Sequence, residues 1–170
     1  SCIMNKGKVA IALQFGVAAL FLGRAWQHFF WDPPYRVLLW DEAVMGTIIS
    51  SLGYASWQAF ATDPAVDISL QWFTTSVGVF LFLAAVKTLA INYLKRLNPF
   101  FWGVGALFLL VIACLYWKDQ FYRIPLLLEF TLQWSLPIFL WLFLTAKITQ
   151  DRIMTGLALA AGLTFIGHGL

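Results

Sequence analysis

Charge is what this sequence has least of. Only 11% of its 170 residues are Asp, Glu, Lys or Arg, against roughly 25% in soluble domains. So few charges cannot cover a water-facing surface, which excludes an ordinary soluble globule. Cysteine is scarce too. Cys2 and Cys114 are the only two; they form no CxxC pair and no His/Cys cluster, so neither a metal site nor a dithiol redox motif is indicated. Cys114 sits in an apolar run and is expected to be a small buried residue. There is no basic cluster of the kind that binds nucleic acid. A GxGxxG or P-loop opening a helix, HExxH and GxSxG are also missing, as is voltage-sensor arginine spacing.

What is present in quantity is apolar. Hydrophobic residues make up 61% of the chain and the mean hydropathy is +0.80. The solvent such a chain requires is a lipid bilayer. Its backbone must satisfy its own hydrogen bonds there, so spanning segments are helices of about 20 residues. Five stretches qualify: 9–31, 68–93, 99–117, 124–147 and 153–170. The expected fold is therefore an all-α integral membrane bundle of about five spans. Met4-Asn5-Lys6-Gly7-Lys8 reads as a natural start, and the bare apolar end at Leu170 reads as a chain that continues.

Orientation follows from the basic residues. Lys6, Lys8, Lys95, Arg96, Lys147 and Arg152 share one side, while Asp32, Asp41, Glu42, Asp63, Asp67 and Asp119 share the other. Basic residues stay cytoplasmic, so the N-terminus is expected inside and residues 32–67 outside. Trp26, Phe29, Phe30, Trp31, Trp72, Trp117, Phe121 and Tyr122 then fall near outer ends, and Tyr93, Phe100, Phe101 and Trp102 near inner ends, as interfacial anchors do.

The outer loop has helical signals of its own. Tyr35–Leu52 reads as an amphipathic helix stopped by Gly53. Ser56 reads as the cap of a second short helix through Phe60, and Asp63-Pro64 as N-cap and first-turn proline of the second span. Together they predict an amphipathic helical cap on the outer membrane face, either packing over the bundle alone or serving a ligand. Pro125 falls in a first turn, where it is tolerated, and Pro137 is expected to kink the fourth span.

Four ionisable side chains fall inside spans: Arg24, Lys87, Glu129 and His168. Lys87 lies near an inner end and is expected to snorkel. Arg24 and Glu129 both lie roughly 8–10 Å below outer ends at about 1.5 Å per residue. A matched pair offsets the cost of burying either, so an ion pair, direct or through water, is expected. It would serve either as a helix lock or as the polar floor of a pocket. Gln133, Trp134, His28, His168 and Gln14 are candidate additions to that pocket, which would suit a quinone: an apolar tail in lipid and carbonyls near Arg or His. His28 and His168 as haem ligands have no further support. Phe21-Leu22-Gly23-Arg24 and Phe165-Ile166-Gly167-His168 form a short internal echo.

With Gly23-Arg24 towards the outer end of span one, a helical outer loop and Gly78-Val79-Phe80-Leu81-Phe82-Leu83 in span two, the chain resembles the DoxX-like superfamily of small bacterial membrane proteins over most of residues 8–147. The long acidic loop and fifth span depart from the four-helix pattern and leave room for the related HTTM and vitamin-K-dependent carboxylase-like membrane domains, of which no catalytic motif is present. DoxX-like proteins are associated with membrane redox systems, including thiosulfate:quinone oxidoreductase. The resemblance implies an accessory subunit of a bacterial inner-membrane redox or electron-transfer complex, with other membrane subunits as partners. It transfers no catalytic residue. A small-solute transporter and a purely structural subunit are the rival readings, and the scarcity of charge in the inner halves of the spans weighs against a transporter.

Overall fold

The computed structural model describes residues 2–91 and 99–169, with side chains in the first helix from Gly7 onward. Every regular element among them is helical. Helix α1 (Cys2–Phe30) is long, proline-free and apolar, and the Pro33-Pro34 pair prevents its continuation. Four short pieces follow: α2 (Arg36–Leu39), α3 (Glu42–Met45), a 3-10 turn (Ile49–Leu52) and α4 (Trp57–Ala61). The long helices then resume as α5 (Pro64–Leu89), α6 (Phe100–Asp119), α7 (Ile124–Glu129), α8 (Thr131–Leu144) and α9 (Gln150–Gly169).

Four segments are long and apolar enough to cross a membrane: Gly7–Phe30, Pro64–Leu89, Phe100–Asp119 and Ile124–Leu144. Helix α9 is equally long, but Gln150, Asp151, Arg152 and His168 at its ends dilute its apolar character. The end of span two beyond Ile91, including Tyr93, and the basic pair Lys95 and Arg96 lie outside the described residues.

The single amphipathic helix expected over Tyr35–Leu52 is instead three pieces. Asp41 is extended (φ −98°, ψ 107°), and its carboxylate accepts from the Ala43 and Val44 amides, so it ends one helix and caps the next. The remaining local signals act as read: Gly53 is left-handed (φ 86°), Ser56 accepts from the Ala59 amide, and Asp63 accepts from the Ala65 amide just before Pro64.

Gln14 reaches the carbonyls of Thr88 and Leu89 while Gly78 lies against His28 and Phe29, so α1 and α5 are antiparallel. Gly167 lies against the Pro125 and Glu129 backbone and Gly156 against Phe139, so α9 runs back along α7 and α8. The main core joins α1, α5, α6, α8 and α9 through Val17, Phe21, Leu81, Leu109, Leu140 and Ile153. A second cluster seats Tyr35 against Leu70, Ile112 and Leu115, fixing the short helices to one end of α5 and α6.

Span four is interrupted, though not at its proline. Helix α8 runs through Pro137, and the break comes earlier, at Phe130. There the Leu132 amide leaves the helical ladder and donates to the Thr164 hydroxyl of α9 (3.1 Å). Two further expectations are corrected. Cys114 is exposed on the outside of α6 rather than buried; an apolar thiol is comfortable against lipid. Trp102 is not an interfacial anchor: it is buried, and its indole donates to the Thr88 hydroxyl (3.0 Å). Of the aromatics proposed as outer anchors, Trp26, Phe29 and Phe30 on α1 and Trp31 just after it are exposed, as is Trp72. The two members of the short echo differ in environment, Phe21 being fully buried and Phe165 exposed.

Candidate functional site

Arg24 does not form the direct ion pair with Glu129. Its Nε (3.2 Å) and Nη2 (2.5 Å) donate to Gln133 Oε1, its Nη1 donates to Gln27 Oε1 (2.6 Å), and its guanidinium lies 5.3 Å from the Phe130 ring centre. Glu129 meets His168 Nδ1 instead (3.1 Å). The break at Phe130 explains the separation: Glu129 ends α7 against α9, whereas Gln133 opens α8 against α1.

A chain of polar contacts runs on from Arg24. Gln27 Nε2 donates to the Tyr116 hydroxyl (2.6 Å), and the Tyr116 ring stacks on Phe130 (5.4 Å). In the other direction, His28 Nδ1 lies 2.6 Å from the Arg24 carbonyl and His28 Nε2 2.9 Å from the Tyr35 hydroxyl. A carbonyl can only accept, so Nδ1 carries the proton. In neutral His28, Nε2 then accepts from the Tyr35 hydroxyl. Burial pushes the Tyr35 phenol well above its ordinary range, so it remains a donor.

The seven residues expected to line one pocket are thus divided. Arg24 and Gln133 line a cleft of about 350 Å³ between α1 and α8. His28 lines a polar cleft of about 380 Å³ with Asp32, Arg36 and Thr74. Glu129 lines one of about 150 Å³ with Arg123 and Gly167. Trp134 packs on the main core, and the His168 side chain is 76% exposed. Gln14 is buried near the opposite end of the bundle, capping the last carbonyls of α5. Both ring nitrogens of His28 are engaged and His168 sits on Glu129, so the two histidines do not converge on one site. Lys87 places its ammonium 4.2 Å from the Phe101 ring centre. Among the described residues, no three His, Cys, Asp or Glu side chains gather as metal ligands.

A larger cavity lies elsewhere. About 700 Å³ of space opens between the short helices and α5 and α6, lined by Tyr35, Leu39, Met45, Phe60, Phe73 and Val111 among other almost wholly apolar side chains. Phe73, Leu107 and Val111 on its walls are also exposed, so it opens sideways to the surroundings of the bundle. Tyr35 belongs both to this wall and to the polar chain. Sequence reading missed Tyr35, Gln27, Tyr116 and Phe130. Gln27 alone had a local signal, being one turn from Arg24 on the same helix.

Charge around the short helices is paired at their edges. Arg36 bridges Asp32 (2.8 Å) and Asp67 (2.6 Å), and Lys118 holds Asp41. The Lys118 ammonium keeps the Asp41 carboxyl below its ordinary range, and a hydrogen bond from Tyr54 (2.6 Å) does the same for Asp63.

No protein-family model, curated protein or solved structure matches the chain.

Proposed function

We propose that this protein is an accessory subunit of a bacterial inner-membrane redox complex that holds an apolar-tailed ligand of the quinone class under its short helices. The observation that carries this reading is the cavity of about 700 Å³ between those helices, α5 and α6. Small-molecule sites occupy roughly 300–1,000 Å³ and are mostly apolar with few polar groups. The lateral opening beside Leu107 and Val111 suits entry from the bilayer. Tyr35 supplies the polar end: with its proton directed at His28, the phenol oxygen can accept from a quinol hydroxyl. The redox assignment itself rests on the DoxX-like resemblance.

In this reading α9 is the fifth span. Its length, its antiparallel run along α7 and α8, and its exposed Met154, Leu159, Leu163, Phe165 and Ile166 support that role. The basic residues Lys8, Lys147 and Arg152 favour a cytoplasmic N-terminus, with the short helices outside.

Purification in mild detergent followed by lipid extraction tests the proposal. Quinone and partner subunits are expected to accompany the wild-type chain. Val111→Trp, which fills the cavity, is expected to lose the quinone while melting normally. A stand-alone protein without quinone, or a filled cavity that retains it, would refute the reading.

A further inference from the structure

Arg24 carries a charge within a candidate span, and its side-chain partners are neutral. Gln133, Gln27 and the Phe130 ring solvate the guanidinium but bring no opposite charge. All eight carboxylate side chains of the sequence lie among the described residues. Asp32 and Asp67 are held by Arg36, Asp41 by Lys118, and Glu129 by His168. None of the eight lies within 4.0 Å of Arg24 among the described ion pairs. Charges at such positions are normally paired, or they mark a site. The guanidinium has five N–H donors; three bond the glutamine oxygens and Tyr116 also lies close to it, which leaves at least one N–H uncommitted.

The space beside it is of the right kind. Ala19, Leu20, Gly23, Gln27 and Gln133 complete a cleft of about 350 Å³ with Arg24. Apart from its own helical turn and chain neighbours, nothing lies within 4 Å of the point where a side chain at Gly23 would begin. Ile11, Phe15, Leu22 and Trp26 form an exposed apolar stripe along α1, and the cleft borders that stripe at Ala19. Depth fits a headgroup as well. Arg24 lies six residues before Phe30, roughly 9 Å below the helix end at about 1.5 Å per residue. Its bond to Gln27 shows the side chain reaching a turn closer to that end.

We propose that the Arg24 cleft binds the headgroup phosphate of a phospholipid of net negative charge, in the leaflet on the short-helix side, whose acyl chain follows the apolar stripe of α1; a zwitterionic headgroup, whose own cation already partners its phosphate, binds less. The phosphate supplies the missing counter-charge through a charge-assisted hydrogen bond from an uncommitted guanidinium N–H. This site is separate from the quinone cavity and stands whether or not that cavity is filled.

Native mass spectrometry of the detergent-purified chain, mixed with phosphatidylglycerol or phosphatidylcholine, tests it. Retention of phosphatidylglycerol is expected to exceed that of phosphatidylcholine by about tenfold, the scale of one charge-assisted bond. Gly23→Leu fills the cleft while keeping the Arg24 side chain, and is expected to abolish the preference with an unchanged melting temperature. Arg24→Gln is expected to abolish it too, and the glycine variant decides the matter if that protein fails to fold. Protection of wild type, but not of Gly23→Leu, by inorganic phosphate alone would support the same chemistry with a soluble source. Equal retention of both lipids, or a preference that survives in Gly23→Leu, overturns the proposal. So does a purified complex in which a partner's carboxylate cross-links to the cleft and lipid phosphorus is absent.

Discussion

Arg24 on α1 and Gln133 on α8 are joined by two hydrogen bonds from one guanidinium to one amide oxygen. That contact ties span one to the broken span four, and it replaces the expected ion pair with a neutral acceptor. Gln133→Leu removes the acceptor and is expected to destabilise the protein by roughly 1–2 kcal/mol in thermal or denaturant melts. Gln133→Glu, which supplies an opposite charge, is expected to match or exceed wild type. Melts in which Leu equals Gln would show that the contact contributes nothing.

Gly167 and Gly162 are both on α9 but predict opposite results. A Cβ at Gly167 would lie 2.3 Å from the Pro125 carbonyl oxygen and 2.5 Å from the Glu129 amide nitrogen, neither of which can rotate aside. Gly167→Ala is expected to cost about 1–3 kcal/mol through displacement of α9. Gly162 has open space there, so Gly162→Ala is expected to be neutral, or more stable by up to about 1 kcal/mol from helix propensity. Equal melting of the two variants would contradict the α7–α9 packing.

Ala146 ends α8 in the left-handed region (φ 54°), with the Lys147 amide reaching back to the Leu142 carbonyl. This is the position glycine favours after a helix. Ala146→Gly is expected to stabilise the protein by about 1 kcal/mol, read as a higher melting temperature; a lower one would count against this turn geometry.

The Asp63 carboxyl titrates below its ordinary value of 3.8 because the Tyr54 hydroxyl and the Ala65 amide bond to its charged form. A folded-state pKa below the unfolded one stabilises the fold above the unfolded value. That contribution disappears as pH falls through the folded pKa. Acidification below about pH 4 is therefore expected to loosen the short helices first. Hydrogen exchange of residues 54–66 across that range measures it, and Asp63→Asn, which keeps a capping oxygen, should flatten the response. An acid response unchanged in Asp63→Asn would place its origin elsewhere.

Local chemistry was legible in the sequence, and distant partnership was not. Asp63-Pro64, Ser56 and Gly53 act within a turn of themselves, and each does what its residue type dictates. The break at Phe130 has no proline or glycine to announce it. It depends on Thr164, far along the chain, while Pro137, the obvious candidate, sits inside a helix. Trp102 shows the same limit: an aromatic near a span end looks like an anchor until Thr88 offers its indole a buried acceptor. Arg24 was recognisable as unusual because a charge within a span is costly. Which neighbour answered it depended on how two halves of another helix were turned. The apolar cavity had no linear signature, because its walls come from four short helical pieces and two long helices.

The amide of Leu132 has a further consequence, for biogenesis. A chain entering the membrane from its N-terminus delivers span four before Thr164 has been synthesised. Until α9 docks, that stretch holds an unsatisfied donor in hydrocarbon, which costs several kcal/mol. A segment that emerges later is thus the one that completes span four. Truncation before residue 164 is expected to leave an insertion intermediate for quality-control proteases to degrade.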